Sequence, residues 1–265
     1  MLATCFPPPY KIETDHMPKW MLAFCALALL WSGVTSTESV AEPNDLQNRL
    51  AEANRAAAEN DSQKSVAIIT ELLESNPNVA PGYYLRGRER FRSGDIQGSC
   101  DDFERLIELE PNRKPQLWER GISCYYAGRY QDGIEQFNVY QTFDDNDVEN
   151  AVWHFLCFAK LHGVKKAQQS IIQVRRDPRI PMAEVYRLFA GQATPQEVLA
   201  AANVLQDPAH KNLGLFYAHL YLGLYYDVSG NDDLARQHIE TAVAHRINHY
   251  MWDVARVHAD RYKSQ

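Results

Sequence analysis

Measured against a ruler of 34 residues, the chain from Leu46 onward stays in register without an insertion, with frames starting at 46, 80, 114, 148, 182 and 216. A fixed period of this length means stacked supersecondary units, each too small to bury its own apolar face. Position 20 of every frame is small: Ser65, Ser99, Gly133, Ala167, Ala201 and Ala235. Position 24 is apolar in every frame: Ile69, Phe103, Phe137, Ile171, Leu205 and Ile239. Position 8 is small in four frames, as Ala53, Gly87, Gly121 and Gly223, and is Phe155 and Phe189 in the other two. Position 15 of the same four frames reads Asn60, Gly94, Gly128 and Gly230, residues suited to a tight turn. In the segment 117–140 apolar residues recur at spacings of three and four on either side of Ala127-Gly128, and period-two alternation is absent. That pattern is a helix, a turn and a second helix. Pro77 and Pro111 share position 32, where proline stops the second helix.

The period and the small-residue positions resemble the tetratricopeptide repeat. The fold class expected is therefore all-α, a right-handed superhelical solenoid of antiparallel helix pairs, built by residues 42–265 as one domain and degenerate over 148–215. Frames 80, 114 and 216 carry the pattern most fully. Frame 148 places bulky Phe155 at the small position, so its first helix must shift or tilt. Frame 182 has a short first helix, about Met182 to Ala190, and a second helix capped by Thr194 with Pro195 behind it. The segment Gln206-Asp207-Pro208 is expected to end that helix, and a closing helix over 248–262 to cover the last apolar face.

Ala190-Gly191 ahead of a short helix, the run Leu222-Gly223-Leu224-Tyr225 and the segment Tyr250 through Ala255 also resemble the C-terminal half of the NlpI-like bacterial envelope lipoproteins. The resemblance implies an all-helical scaffold, often dimeric, that brings murein hydrolases and a protease together. It assigns no contact residue to a numbered position here.

Residues 1–41 differ from the rest. Met17 and Lys19 precede the apolar run MLAFCALALLW, and Ser39-Val40-Ala41 supplies small residues where a signal peptidase reads. This is the pattern of a signal peptide, implying export to the periplasm or outside the cell. The alternatives are an uncleaved anchor or lipidation at Cys25, although Phe24 and the continuing apolar run make a poor lipidation box. Membrane association would then run through this segment alone. The formal charge of −7 and pI near 5.7 argue against nucleic acid as a partner. Beyond residue 41 three cysteines remain, Cys100, Cys124 and Cys157, without zinc or redox spacing. A Cys100–Cys124 bridge is conceivable between adjacent hairpins, while small buried packing residues are the plainer reading.

In such a repeat the first helix of each pair lines the groove, with positions 2, 5, 9 and 12 facing it. Those positions supply Tyr84, Arg88 and Phe91, then Trp118, Ile122 and Tyr125, then Glu149, Val152 and Leu156. Aromatic rings flanked by guanidinium groups suit a peptide or protein partner. The same rings could instead pack on adjacent helices or on the tail of the chain. The Lys and Asn clamp that holds a terminal carboxylate is incomplete: Asn54 is present, but Tyr84 and Trp118 occupy position 5. No HExxH, GxSxG, phosphate-binding glycine loop or CxxCH occurs, so no cofactor, metal or catalytic residue is assigned. His238, His245 and His249 read as surface or packing residues. Asp144-Asp145-Asn146-Asp147 reads as a helix cap rather than a calcium loop. The expected function is a non-enzymatic adaptor for a protein or peptide. The alternatives are a structural homodimer pairing through Ala51, Ala53, Ala56, Ala57 and Ala58, or a glycan-cleaving enzyme using Glu119 and Glu135.

Overall fold

The computed structural model describes residues 43–263, and the expected signal peptide or anchor lies outside these. Among the described residues every regular element is helical: six antiparallel pairs of α-helices, a 3-10 helix at Pro111–Gln116 between the second and third pairs, and one closing helix. The pairs are α1 (Pro43–Ala58) with α2 (Ser62–Ser75), α3 (Ala80–Arg92) with α4 (Ile96–Leu109), and α5 (Trp118–Tyr126) with α6 (Tyr130–Tyr140). They continue as α7 (Val148–His162) with α8 (Val164–Gln169), α9 (Met182–Phe189) with α10 (Pro195–Asn203), and α11 (Pro208–Val228) with α12 (Asp232–Ala244). The array ends in α13 (Tyr250–Arg261). This is a tetratricopeptide-like solenoid. No helix among the described residues is long and apolar enough to cross a membrane.

The repeat positions act as pairs. Position 8 of the first helix lies against position 24 of the second, and the glycine makes room for the larger side chain. A Cβ on Gly121 would sit 2.4 Å from the Phe137 ring, and one on Gly223 would sit 2.6 Å from Ile239. Gly87 faces Phe103 in the same way, with the ring 3.3 Å from where its Cβ would be. Phe103, Phe137 and Ile239 are almost wholly excluded from water. Their burial is the main stabilising term of each hairpin, at about 25 cal/mol per Å² of apolar surface. The turns follow the pattern too: Asn60, Gly94, Gly128 and Gly230 all take positive φ.

The degenerate frames depart from the ruler for local reasons. In the frame at 148 the turn glycine moves to Gly163, with φ 85°, and α8 stops after six residues. The sequence beyond it, SIIQVRRDPRIP, is β-branched and carries Pro178 and Pro181, both unfavourable to helix. Ile171 is still buried, but from an irregular segment. Phe155 fits because it meets Phe189 edge-on at 5.1 Å, so the two bulky position-8 residues pack together. The Thr194 cap forms a full capping box with Glu197. Gln206-Asp207-Pro208 has a second role beyond its expected one. Asp207 caps α11 through the His210 N–H with Pro208 at the first position, so this helix starts eight residues ahead of its frame.

Cys100, Cys124 and Cys157 are all buried free thiols, so the conceivable Cys100–Cys124 bridge is absent. The interaction between Cys100 and Cys124 raises the first thiol's pKa and lowers the second's. The alanine run of α1 is partly consumed within its own pair, since Ala53 and Ala56 are buried against the core of α2.

Replacing glycine by alanine inside a helix ordinarily adds up to about 1 kcal/mol of stability. Gly121→Ala and Gly223→Ala are expected to do the reverse, lowering stability by about 1–3 kcal/mol through overpacking at the crossing. Urea midpoints of the two variants against the parent measure the sign directly.

Candidate binding site

The closing helix does more than cover the end of the array. α13 returns to the first helices of the second and third pairs. Tyr250 meets Phe91 at 5.6 Å and the edge of Trp118 at 5.4 Å, and the guanidinium groups of Arg88 and Arg92 lie over its ring at 4.9 and 5.3 Å. Arg92 Nε donates to Asp253 at 2.9 Å, and the Tyr126 hydroxyl pairs with His258 Nδ1 at 2.9 Å. Asp227 of α11 accepts from Tyr125 and from Lys160.

This arrangement corrects part of the sequence-based groove. Phe91, Ile122, Tyr125, Val152 and Leu156 belong to the main hydrophobic core and are at most 3% exposed. Tyr84, Arg88 and Trp118 are half-buried, with Arg88 and Trp118 against Tyr250. The aromatic and cationic chemistry expected for a peptide is therefore engaged largely by the chain's own α13.

What remains beside this face is a cavity of about 190 Å³ between the pairs, lined in part by Trp118, Phe137 and Tyr140 and by Asp147, Glu149 and Asn150 of α7 and its cap. Trp153, Arg179, His249 and Met251 complete it. Sequence reasoning placed Trp118 and Glu149 on the groove but missed Arg179, which comes from the irregular segment after α8. Arg179 donates to Glu149 and to Asp147, each at 2.6 Å, and its Nε to Asp177 at 2.9 Å. The Tyr221 hydroxyl also donates to Glu149. Asp147 caps α7 through the Glu149 N–H, as the acidic cluster predicts. Burial and the neighbouring Glu149 charge push the Asp147 pKa up to about 6, against the opposing pull of Arg179.

The residues considered for hydrolysis are tied up elsewhere. Glu119 is buried and accepts from the Tyr84 hydroxyl at 2.8 Å. Glu135 is exposed and paired with Lys114 at 2.6 Å, which holds its carboxyl below the usual range, the wrong direction for a general acid at neutral pH. Among the described residues no group of three or more His, Cys, Asp or Glu could hold a metal ion. His238 pairs with His219 at 2.9 Å, His245 with Asn212 at 2.9 Å, and His249 caps α13.

No family model matches the chain, and no curated protein matches it. Solved structures do. A tetratricopeptide repeat protein from Parabacteroides merdae aligns at 11% identity over 82% of this chain and 85% of its own, with a TM-score of 0.50. YrrB, a tetratricopeptide repeat protein with an unusual peptide-binding site, aligns at 16% identity over 80% and 90%, TM-score 0.42. PilW, a type IV pilus biogenesis factor, aligns at 13% over 77% and 94%, TM-score 0.46. At these identities the likeness concerns the fold.

Two consequences are measurable. The Tyr250 hydroxyl is buried with no hydrogen-bond partner, so Tyr250→Phe should raise stability by about 1–2 kcal/mol. Tyr250→Ala, which empties the contact between α13 and the first helices, should cost about 3–5 kcal/mol. Chemical denaturation of both variants tests the pair.

The pH dependence has a definite sign. Burial lowers His258 to about 3 and His154 to about 4, and burial together with its histidine neighbours lowers His219 to about 4. These groups fold neutral, so their stabilisation is intact above about pH 6.5. It is lost as pH falls from there toward 4, because only the unfolded chain takes up protons. Asp147 acts oppositely between about pH 6 and its unfolded value near 4, and Asp102, raised by burial, acts with it, but the histidines lowered by burial, His238 among them, outnumber these two. Stability should fall on acidification, and His258→Gln should reduce the slope by up to about 1.4 kcal/mol per pH unit. Denaturant midpoints at pH 7, 5.5 and 4.5 read this out.

Proposed function

We propose that this chain is a non-catalytic adaptor that binds a protein or an extended peptide outside the cytoplasm, as part of cell-envelope assembly. The observation that carries the binding role is the neighbourhood of the cavity beside α7. Two large apolar residues are exposed on the loops that supply its wall: Phe143, 58% exposed, and Ile180, 46% exposed. Phe143 leans on Tyr140 of the cavity wall at 5.8 Å, and Ile180 follows Arg179 in the chain. Apolar side chains rimmed by charge are what a partner surface offers before it is covered. The tetratricopeptide-like fold supports the same reading. The envelope setting is supported by the leader-like residues 1–41 and by the likeness of the last two frames to the NlpI-like lipoproteins.

The full chain, crosslinked in its native host, should capture a partner that Phe143→Ser with Ile180→Ser fails to capture while melting unchanged. Capture unaffected by that double substitution places the interface elsewhere. The intact mass of the protein from the same cells tests export. A mature terminus at Glu42 is expected, and the full-length chain in the soluble cytoplasm would overturn the envelope assignment.

A further inference from the structure

The antiparallel hairpin of α11 and α12 carries a polar seam with a seven-residue spacing on both helices. Asn212, His219 and Tyr226 recur on α11, and His238 and His245 face them from α12 and its C-cap in the opposite order. A spacing of seven returns a residue to the same side of a helix about two turns on. Asn212 Oδ1 meets His245 Nδ1 at 2.9 Å, and His219 Nδ1 meets His238 Nδ1 at 2.9 Å. The Tyr226 ring stacks on His238 with centroids 5.5 Å apart, and the His245 ring stacks on His219 at 6.0 Å. All four rings are half-buried, so the seam is an edge of the hairpin that solvent reaches rather than a part of the core.

Two imidazoles that meet through the same nitrogen hold one proton between them. With both rings neutral, one Nδ1 donates and the other accepts. Burial, joined for His219 by its histidine neighbours, lowers both pKa values, so the pair is neutral at physiological pH. Neutral imidazole is the form that ligates a metal. Moving the shared proton to the donor ring's own Nε2 frees both Nδ1 lone pairs without releasing a proton.

The spacing of the two nitrogens selects the metal. With metal–nitrogen bonds of about 2.0 Å, ligands at right angles stand about 2.8 Å apart and tetrahedral ligands about 3.3 Å apart. The 2.9 Å between His219 and His238 matches the first. Square-planar or tetragonal coordination by nitrogen belongs to Cu²⁺ and Ni²⁺, and Cu²⁺ binds most tightly of the first-row ions. The outer torsion of histidine is broad, so modest turns of the two rings aim both lone pairs at one point. Among the described residues no group of three His, Cys, Asp or Glu could hold a metal ion, so only two ligands come from the protein and water fills the remaining positions.

We propose that His219 and His238 form a two-imidazole chelate for Cu²⁺ that pins α11 to α12. Tyr226 and His245 keep the ligand rings in place by stacking. α12 in turn holds the closing helix, since Trp252 Nε1 donates to the Val243 carbonyl at 3.0 Å. Pinning the hairpin therefore braces α13 as well. The assignment is independent of the adaptor reading.

The test uses the full chain with its accessible thiols alkylated, titrated with Cu²⁺ and followed by electron paramagnetic resonance. One Cu²⁺ per chain should bind with the hyperfine pattern of two imidazole nitrogens. Its addition should raise the urea midpoint. His219→Gln and His238→Gln should each lower the affinity at least about tenfold and abolish the midpoint shift. His210→Gln, on an exposed histidine of the same helix, should leave both unchanged. The nitrogen hyperfine pattern is read on the unaltered chain and stands as the test if either glutamine variant fails to fold. A bound ion without two imidazole nitrogens, full affinity in a folded His219→Gln or His238→Gln chain, or an equal loss with His210→Gln would each overturn the chelate.

Discussion

Two helices approach most closely where one of them carries little or no side chain, and the pairs of the frames at 80, 114 and 216 are each organised around a glycine. Gly121 receives the Phe137 ring, Gly223 receives Ile239 and Gly87 receives Phe103. The depth of each crossing decides how much apolar surface one pair can bury and how the next stacks on it. Where the small residue is missing, as at Phe155 and Phe189, the array finds another solution. The two rings pack on each other, α8 shortens, and the segment beyond it becomes irregular. That irregular segment then brings Arg179 to the carboxylates of α7. A defect in the repeat thus becomes one of the places where buried charge gathers, as it also does where Arg86 and Arg90 meet Asp102.

Buried ion pairs seldom add stability relative to apolar packing, because desolvation opposes the attraction. The arrangement around Arg179 is accordingly poor as a fold-stabilising device. Three carboxylates crowd one guanidinium, one of them with its pKa raised toward neutrality, beside a cavity walled in part by Trp118, Phe137 and Tyr140.

The closing helix changes what the first helices can do. In a plain stack their aromatic positions stay open to a ligand. Here Tyr250, held by Phe91, Trp118, Arg88 and Arg92, takes the central part of that face. Ion pairs and hydrogen bonds from Arg92 to Asp253 and from Tyr126 to His258 tie together helices some 130 to 160 residues apart in the chain. The cavity lies at the margin of that face, where Trp118 and Glu149 meet residues from the neighbouring loops.

The sequence by itself determined the helix pairs, their crossings and most of their turns. A repeat is a local code: each hairpin is specified by contacts within about one period, and small, apolar and turn residues announce them. The caps at Asp147 and Thr194 were legible for the same reason, since a cap is a relation among neighbours. Only the tertiary structure decided the rest. The docking of α13 on α3 joins residues with no periodic relation, so Tyr250 bears no mark of its contact with Phe91. Phe91, Ile122, Tyr125, Val152 and Leu156 carry the spacing of groove residues, yet spacing fixes only the side of a helix they occupy. Whether that side meets water depends on what else the chain folds over it. Arg179 was illegible too, because its role exists only where the repeat breaks and a loop, rather than a helix, sets its position.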